Sequence, residues 1–445
     1  MTSYWVPYAH LPSGTAADVL ITERGGTITA IASGSDRTAA DVCFAGVGLP
    51  GFANTHSHAF HRALRGRTHA DGGTFWTWRE QMYAVASRLD PDLYLALARA
   101  VYTEMVLAGM TVVGEFHYLH HDHLGRRYAD PNAMSEALVA AADEAGIRLT
   151  LLDVCYLRGG LNGAGHQPLD PVQERFTDGS VDRWSERVKD FASRHEGSPT
   201  VRVGSAAHSV RAVPLRDLAR LATVRPDGPV HVHLSEQLAE NDAVRDHYGG
   251  TPTDLLDRAG LLGPEATAVH ATHLTAGDID LLGGSRTGSC VCPTTERDLA
   301  DGIGPARALA RAGSPLSLGS DQHAVIDMFE EMRGLEMHER LLTHQRGRFT
   351  PSEIVTAATT TGHASLGWPD GGRLAVGAPA DLVIIDTSSV RTTGSRPDQI
   401  HYAATSADIT DVIIGGRRVV TDRCHHLGPA GRLLADALTP WEARP

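Results

Sequence analysis

The sequence predicts an α/β fold: a (β/α)8 TIM-like barrel carrying a small β-sandwich domain built from its N- and C-terminal segments. Three observations lead there. Eight short apolar runs, rich in β-branched residues, recur between Leu49 and Gly319. Helix-patterned stretches separate them, and strands alternating with helices imply parallel pairing through right-handed crossovers. β-rich segments without such helices stand before and after. The expected division gives residues 1–48 and 368–445 to the small domain and 49–367 to the barrel.

In chain order, Val19–Thr22, Thr27–Ile31 and Asp41–Phe44 read as short strands punctuated by Gly and Asp clusters. Pro50-Gly51 then breaks the chain before the first barrel run, which ends in His56-Ser57-His58. The next seven runs centre on Val112-Val113, Leu149–Val154, Val201–Gly204, Val230–Leu234, Ala268–Ala271, Cys290–Cys292 and Leu316–Gly319. Helical patterns fall between them at 92–108, 131–145, 181–194, 214–223, 253–259, 275–282 and 304–312, and another at 351–366. Nothing like a dinucleotide fingerprint follows the first run, which disfavours an open doubly wound sheet. After Gly372, Ala378–Asp386 and Asp411–Val420 return to β character, the latter as a hairpin. The glycine-dense Arg158–Gly165 has no Lys-Ser/Thr after it, so it reads as a mobile lid and not as a phosphate cradle.

At 445 residues, with 42% hydrophobic and 21% charged residues, the chain has the composition of a soluble globular protein. The formal net charge of −13 and the lack of like-charge runs disfavour nucleic acid and anionic membrane as partners. Five scattered cysteines form no disulfide framework, and Cys290 and Cys292 share one face of a buried strand. There is no signal-peptide pattern and no apolar run of transmembrane length, so a cytoplasmic location is expected.

In a parallel barrel the chemistry sits where the strands end. The first run ends in His56 and His58, whose i, i+2 spacing puts both imidazoles on one face. The second runs into Glu115-Phe116-His117-Tyr118 and the fourth into His208-Ser209-Val210-Arg211. The fifth carries His231, His233 and Glu236, the sixth His270 and His273, and the eighth Asp321. Three imidazoles with a carboxylate beside them and one position free for water make a catalytic site for zinc or a similar divalent ion. Such an ion lowers the pKa of water toward about 7. A carboxylate must then move protons, with Glu236 and Asp321 the candidates.

The His-x-His, the later strand histidines, the terminal Ser-Asp and the flanking β segments resemble the amidohydrolase superfamily. More narrowly, Asn54–Phe60, Phe75–Glu80, Glu115–His121, His231–Gln237, Val269–His273 and Cys292–Glu296 are similar to the formimidoylglutamate deiminases. That resemblance implies one divalent metal per subunit, most simply zinc, held by His56, His58 and His233 with Asp321 at or beside it. It implies Glu236 as proton shuttle, with His270 orienting water or steadying developing charge. It implies His61, Arg79, Tyr118, His208 and Arg211 as contacts to a small dicarboxylate, N-formimino-L-glutamate. The products would be N-formyl-L-glutamate and ammonia, in histidine breakdown, by a homodimer. Two arginines suit two carboxylates because the guanidinium fork binds them bidentately.

Two features depart from simple expectation. His61 stands where the family pattern has glutamine. Strict strand alternation would also turn Glu236 away from His233 unless the strand ends near Leu234 or Ser235. A deaminase for a cyclic amidine such as guanine is the nearest alternative, and a non-catalytic binding barrel is the alternative of another class. A two-metal hydrolase is disfavoured, because no lysine stands at a strand end to bridge the ions.

Overall fold

The computed structural model describes residues 1–69 and 73–442, so positions 443–445 of the expected C-terminal segment lie outside it. All eight apolar runs become barrel strands: Phe52–Ser57, Met110–His117, Arg148–Cys155, Val201–Ala207, Val230–Leu234, Ala266–His270, Gly288–Val291 and Leu316–Leu318. Each pairs in parallel with the next, in sequence order. Their residues are buried almost throughout, as continuous apolar strands covered on both faces must be.

Strand one and strand eight meet at a short seam at the carboxyl end. Ser57 and Asp321 form a parallel bridge there. The Asp321 amide donates to His56 O at 2.9 Å, and the His58 amide donates to Asp321 O at 3.2 Å. Below them Asn54 grips Ser320 twice, Nδ2 to Oγ at 2.7 Å and Oδ1 from the Ser320 amide at 2.9 Å. Gly319 is required at this approach: a Cβ there would lie 2.8 Å from the His56 Cβ and 2.9 Å from its amide nitrogen.

The expected helices appear within a residue or two, among them Pro91–Leu107, Ala133–Ala145 and Val181–Arg194. The 351–366 stretch is helical with a π-segment at Ala357–Thr361. Helices at Phe75–Ala86, Leu238–Tyr248, Met328–Thr343 and Ala430–Glu442 are additional to those read from periodicity. Met328–Thr343 hides its apolar stripe because Glu331, Glu336 and Glu339 are buried within it. Each finds donors: Thr294 for Glu331, the Phe349 amide for Glu336, and the Arg307 amide for Glu339. Within the segment expected as a lid, Arg158–Gly165, Gly160–Asn162 pairs with Gly165–Gln167 as an antiparallel hairpin.

The terminal segments share one nine-stranded mixed sheet. Leu382–Ile385 lies antiparallel to Val47–Pro50, which joins the late segment to the early one. The edge strand Thr27–Ala32 curls back onto the segment before Leu382–Ile385, its Ile28 amide donating to Ala378 O at 2.9 Å, and Tyr4 Oη donates to Gly416 O at 3.1 Å. Val6, Ile21, Ile28, Leu382 and Ile413 fill the space so enclosed, a core separate from that of the barrel.

Candidate active site

The strand ends bring the three expected histidines together. His56, His58 and His233 are buried, and one ring nitrogen of each lies within 4.8 Å of the others. The Phe116 ring supports them from below, its centroid 4.4 Å from that of His233. Two of the three tautomers are fixed from outside. His58 Nδ1 sits 2.9 Å from Phe116 O and His233 Nδ1 sits 3.0 Å from His208 O, so both nitrogens carry protons. Both Nε2 atoms are therefore bare and turned inward, and His233 Nε2 meets His56 Nε2 at 3.0 Å. Asp321 Oδ1 adds a carboxylate 3.4 Å from both His56 Nε2 and His58 Nε2. Converging lone pairs repel unless a cation stands between them, so this donor set fits a divalent ion of zinc type.

Protonation is set by burial and by neighbours. Burial, with His56 next to it, pushes His58 down to about 3, and burial holds His233 well below the usual imidazole range. Both thus stay neutral, as ligands must. Burial opposes ionisation of Asp321, but the surrounding imidazoles outweigh it and hold the carboxyl far below its ordinary range. Glu236 goes the other way, raised by burial against the pull of His270 and Arg211. Burial disfavours charge on His270, yet the carboxylates of Glu236, Glu296 and Asp321 outweigh it and keep the ring protonated well above its usual range.

Glu236 reaches the site because the fifth strand stops at Leu234. Ser235 adopts φ 49°, and the reversal brings Glu236 Oε1 within 3.7 Å of His270 Nε2. His270 Nε2 is likewise 3.7 Å from Asp321 Oδ2. His270 and Asp321 are themselves left-handed, with φ 69° and 43°. Non-glycine residues held there carry backbone strain.

One pocket is lined by His58, His61, Arg79, Tyr118, His208, Arg211, His233, Glu236, His270 and Asp321, with His56 beneath it, whereas His117, His231 and His273, which also stand at strand ends, do not line it. His61 Nε2 lies 3.0 Å from Tyr118 Oη, and burial holds this ring well below the normal range. It meets a ligand as a neutral imidazole, much as an amide would. Arg79 lies on the helix Phe75–Ala86. The two arginines differ in compensation. Arg211 Nε donates to buried Glu240 at 2.8 Å, whereas among the described residues Arg79 has no carboxylate partner: it donates to Tyr83 Oη and Gly159 O and lies over the Trp76 and Tyr83 rings.

Sequence reasoning misses Glu240, which also accepts the Ser235 amide and so fixes both Arg211 and the turn before Glu236. It misses Tyr83 and Tyr156, which line the pocket. Glu115 stands out in the sequence only as part of a motif. It bonds Ser57 Oγ at 2.7 Å and the Ala59 amide at 2.6 Å, bracing the backbone on either side of His58, and burial pushes its carboxyl up to about 7.

The amidohydrolase family model matches residues 47–419. This chain belongs to the amidohydrolase family. As such it is a hydrolase acting on C–N bonds. It is 35% identical over 441 residues, 96% of either chain, to formimidoylglutamate deiminase of Pseudomonas aeruginosa. An 8-oxoguanine deaminase of the same species is 32% identical over 84% of this chain and 82% of its own. Among solved structures, an amidohydrolase from Brucella melitensis superposes with a TM-score of 0.92 at 32% identity, covering all of both chains. An adenosine deaminase from Xanthomonas campestris with bound zinc shares the fold, with a TM-score of 0.84 at 24% identity over 99% of this chain and 97% of that one. Among the described residues of this amidohydrolase, no helix is long and apolar enough to cross a membrane.

Proposed function

We propose that the chain hydrolyses N-formimino-L-glutamate to N-formyl-L-glutamate and ammonia. The observation that carries this reading is the pocket's cationic wall facing the histidine cluster. A purine has no anionic group to pair with the half-buried Arg79, which has no carboxylate partner among the described residues, whereas a dicarboxylate has two. The likeness to a formimidoylglutamate deiminase over nearly the whole chain supports the same substrate. The 8-oxoguanine deaminase likeness favours the second reading, a heterocyclic amidine.

His56, His58, His233 and Asp321 would hold one divalent ion, which supplies the Lewis acidity that makes water nucleophilic at neutral pH. Asp321, unprotonated, takes the first proton from water as its oxygen bonds to the formimino carbon. Glu236, raised by burial, gives its proton to the imino nitrogen and is suited to both donating and accepting. The cationic His270 steadies negative charge developing on oxygen. The C–N bond then breaks as the hydroxyl proton passes to the departing nitrogen. The proton held by Asp321 returns to Glu236, so that ammonia leaves with a net gain of water's two protons and both carboxyl groups are restored. Arg79, Arg211, Tyr118, His208 and His61 orient the carboxylates. The same reading makes the enzyme a cytoplasmic homodimer of histidine breakdown, its oligomeric state open to light scattering.

Ammonia release from N-formimino-L-glutamate, set beside release from guanine and 8-oxoguanine, tests the substrate. Glu236→Gln is expected to lose about 10²–10⁴-fold in kcat while retaining its metal. Arg79→Met is expected to raise KM with kcat nearly kept. Arg211→Met is the poorer probe of affinity, because it leaves Glu240 buried and unpaired. Full activity in the Glu236 and Arg79 variants would overturn the assignments.

A further inference from the structure

Gln173 lies in the 3₁₀ turn Pro171–Phe176, is fully buried, and belongs to none of the strand ends. Its amide orientation is fixed, because Oε1 accepts the Asp170 backbone N–H at 2.7 Å. A backbone N–H can only donate, so Nε2 must be the atom facing the pocket wall. There it donates to Tyr83 Oη at 2.8 Å and Tyr156 Oη at 2.9 Å, with Gly159 O at 3.2 Å.

Tyr83 Oη already accepts Arg79 Nε–H at 2.6 Å, so with Gln173 both of its lone pairs are filled. Its own proton can go only to Tyr156 or to a ligand. Tyr156 Oη accepts from Gln173, and burial holds this phenol above the ordinary tyrosine range, so it stays a neutral donor. Among the described residues, neither phenol has an acceptor other than its neighbour. At least one O–H is left over, beside an arginine without a carboxylate partner, in a pocket wall.

We infer that Gln173 is a positioning residue for substrate specificity: it turns the Tyr83 and Tyr156 hydroxyls outward, as donors that join Arg79 in binding a substrate carboxylate remote from the reacting carbon. The inference rests on the proposed dicarboxylate substrate. Without the amide protons the phenols would turn their O–H groups inward, and the substrate would lose those donors.

The test uses Gln173→Glu in the full-length, metal-loaded protein. That variant keeps the shape and the acceptor for Asp170 but offers acceptors where the phenols had donors. Two readouts are taken: the kcat and KM split on N-formimino-L-glutamate, and calorimetric binding of glutarate. The expected result is a KM raised about tenfold or more, kcat within about threefold, and glutarate affinity weakened by the same factor as KM. A glutarate affinity equal to that of wild type, or a fall in kcat at constant KM, would overturn it. If the variant does not fold, Tyr156→Phe gives the answer, with glutarate binding about fivefold weaker expected and unchanged binding refuting the idea. Should wild type bind glutarate more tightly than the variant yet release no ammonia, the proposed reaction fails and this inference stands. Normal turnover with equal glutarate affinities would refute the inference and leave the proposed reaction standing.

Discussion

At Ser235 the backbone enters the left-handed region, and that one residue decides where Glu236 points. A serine can be held there at a cost of about 1–3 kcal/mol, met by the Glu240 bond to its amide. A β-branched side chain fits this conformation far worse. Ser235→Val is therefore expected to lower kcat about 10²-fold while elemental analysis finds the metal retained, because His233 lies on the strand before the turn. Unchanged kcat would show that Glu236 needs no such turn. The residue types at this site were legible in the sequence, since six of the eight strands, ending in His, Asp or Glu, stand out whatever the backbone does. Their directions were not. Left-handed serine, histidine and aspartate carry no local signature comparable to glycine, so the turn at 235 could be required by the chemistry but not read from it. Gln173, Tyr83 and Tyr156 were illegible for a different reason. They belong to a turn, a helix and a post-strand loop that meet only in the folded chain, and each alone looks like an ordinary packing residue.

Among the elements, the seam between the first and last strands couples barrel closure to the ligand cluster. Leu316–Leu318 is short, and closure relies on Asn54, Ser320 and the backbone around His56 and Asp321. Removing the Asn54 amide leaves buried Ser320 groups short of partners, at a cost of about 1–3 kcal/mol for each one stranded. Asn54→Ala is thus expected to lower the melting temperature and also to weaken metal affinity, measured by competition with a chelator, although Asn54 touches no candidate ligand ring. A melting shift with unchanged metal affinity would mean that the seam and the cluster are independent. The strands of this seam were visible as apolar runs ending in polar punctuation. The helix carrying Arg79 was not, because its aromatic residues Phe75, Trp76 and Trp78 face both pocket and solvent and blur the 3.6-residue period. The hairpin at 160–167 was hidden by its glycines, which signal a turn without fixing whether the flanks pair.

On the scale of the whole molecule, histidines at the junction of barrel and small sheet give stability a pH dependence. His425, on the last strand, links the sheet to the helix Ala133–Ala145: Nε2 donates to Ala145 O at 2.9 Å and Nδ1 accepts the Leu427 amide at 3.1 Å. His363, beneath the barrel, donates from Nδ1 to Thr359 O at 2.9 Å and accepts Thr111 Oγ1–H at Nε2. Each ring uses one nitrogen as donor and the other as acceptor, which only neutral imidazole can do. Burial holds both near 4, with Arg417 and His426 further opposing charge on His425 and Arg148 opposing it on His363. An unfolded histidine titrates near 6.5, so between about pH 6.5 and 4 the unfolded chain binds protons that the folded chain refuses. Stability therefore rises with pH across this window and is lost as pH falls through it, by roughly 3 kcal/mol for His363. Thermal melts should drop steeply from pH 6.5 to 4.5. In His363→Gln, which keeps a donor and an acceptor but cannot titrate, the slope should be shallower by the share of one proton, whatever its absolute stability. Equal slopes in both proteins would mean that the acid sensitivity arises elsewhere than at this junction.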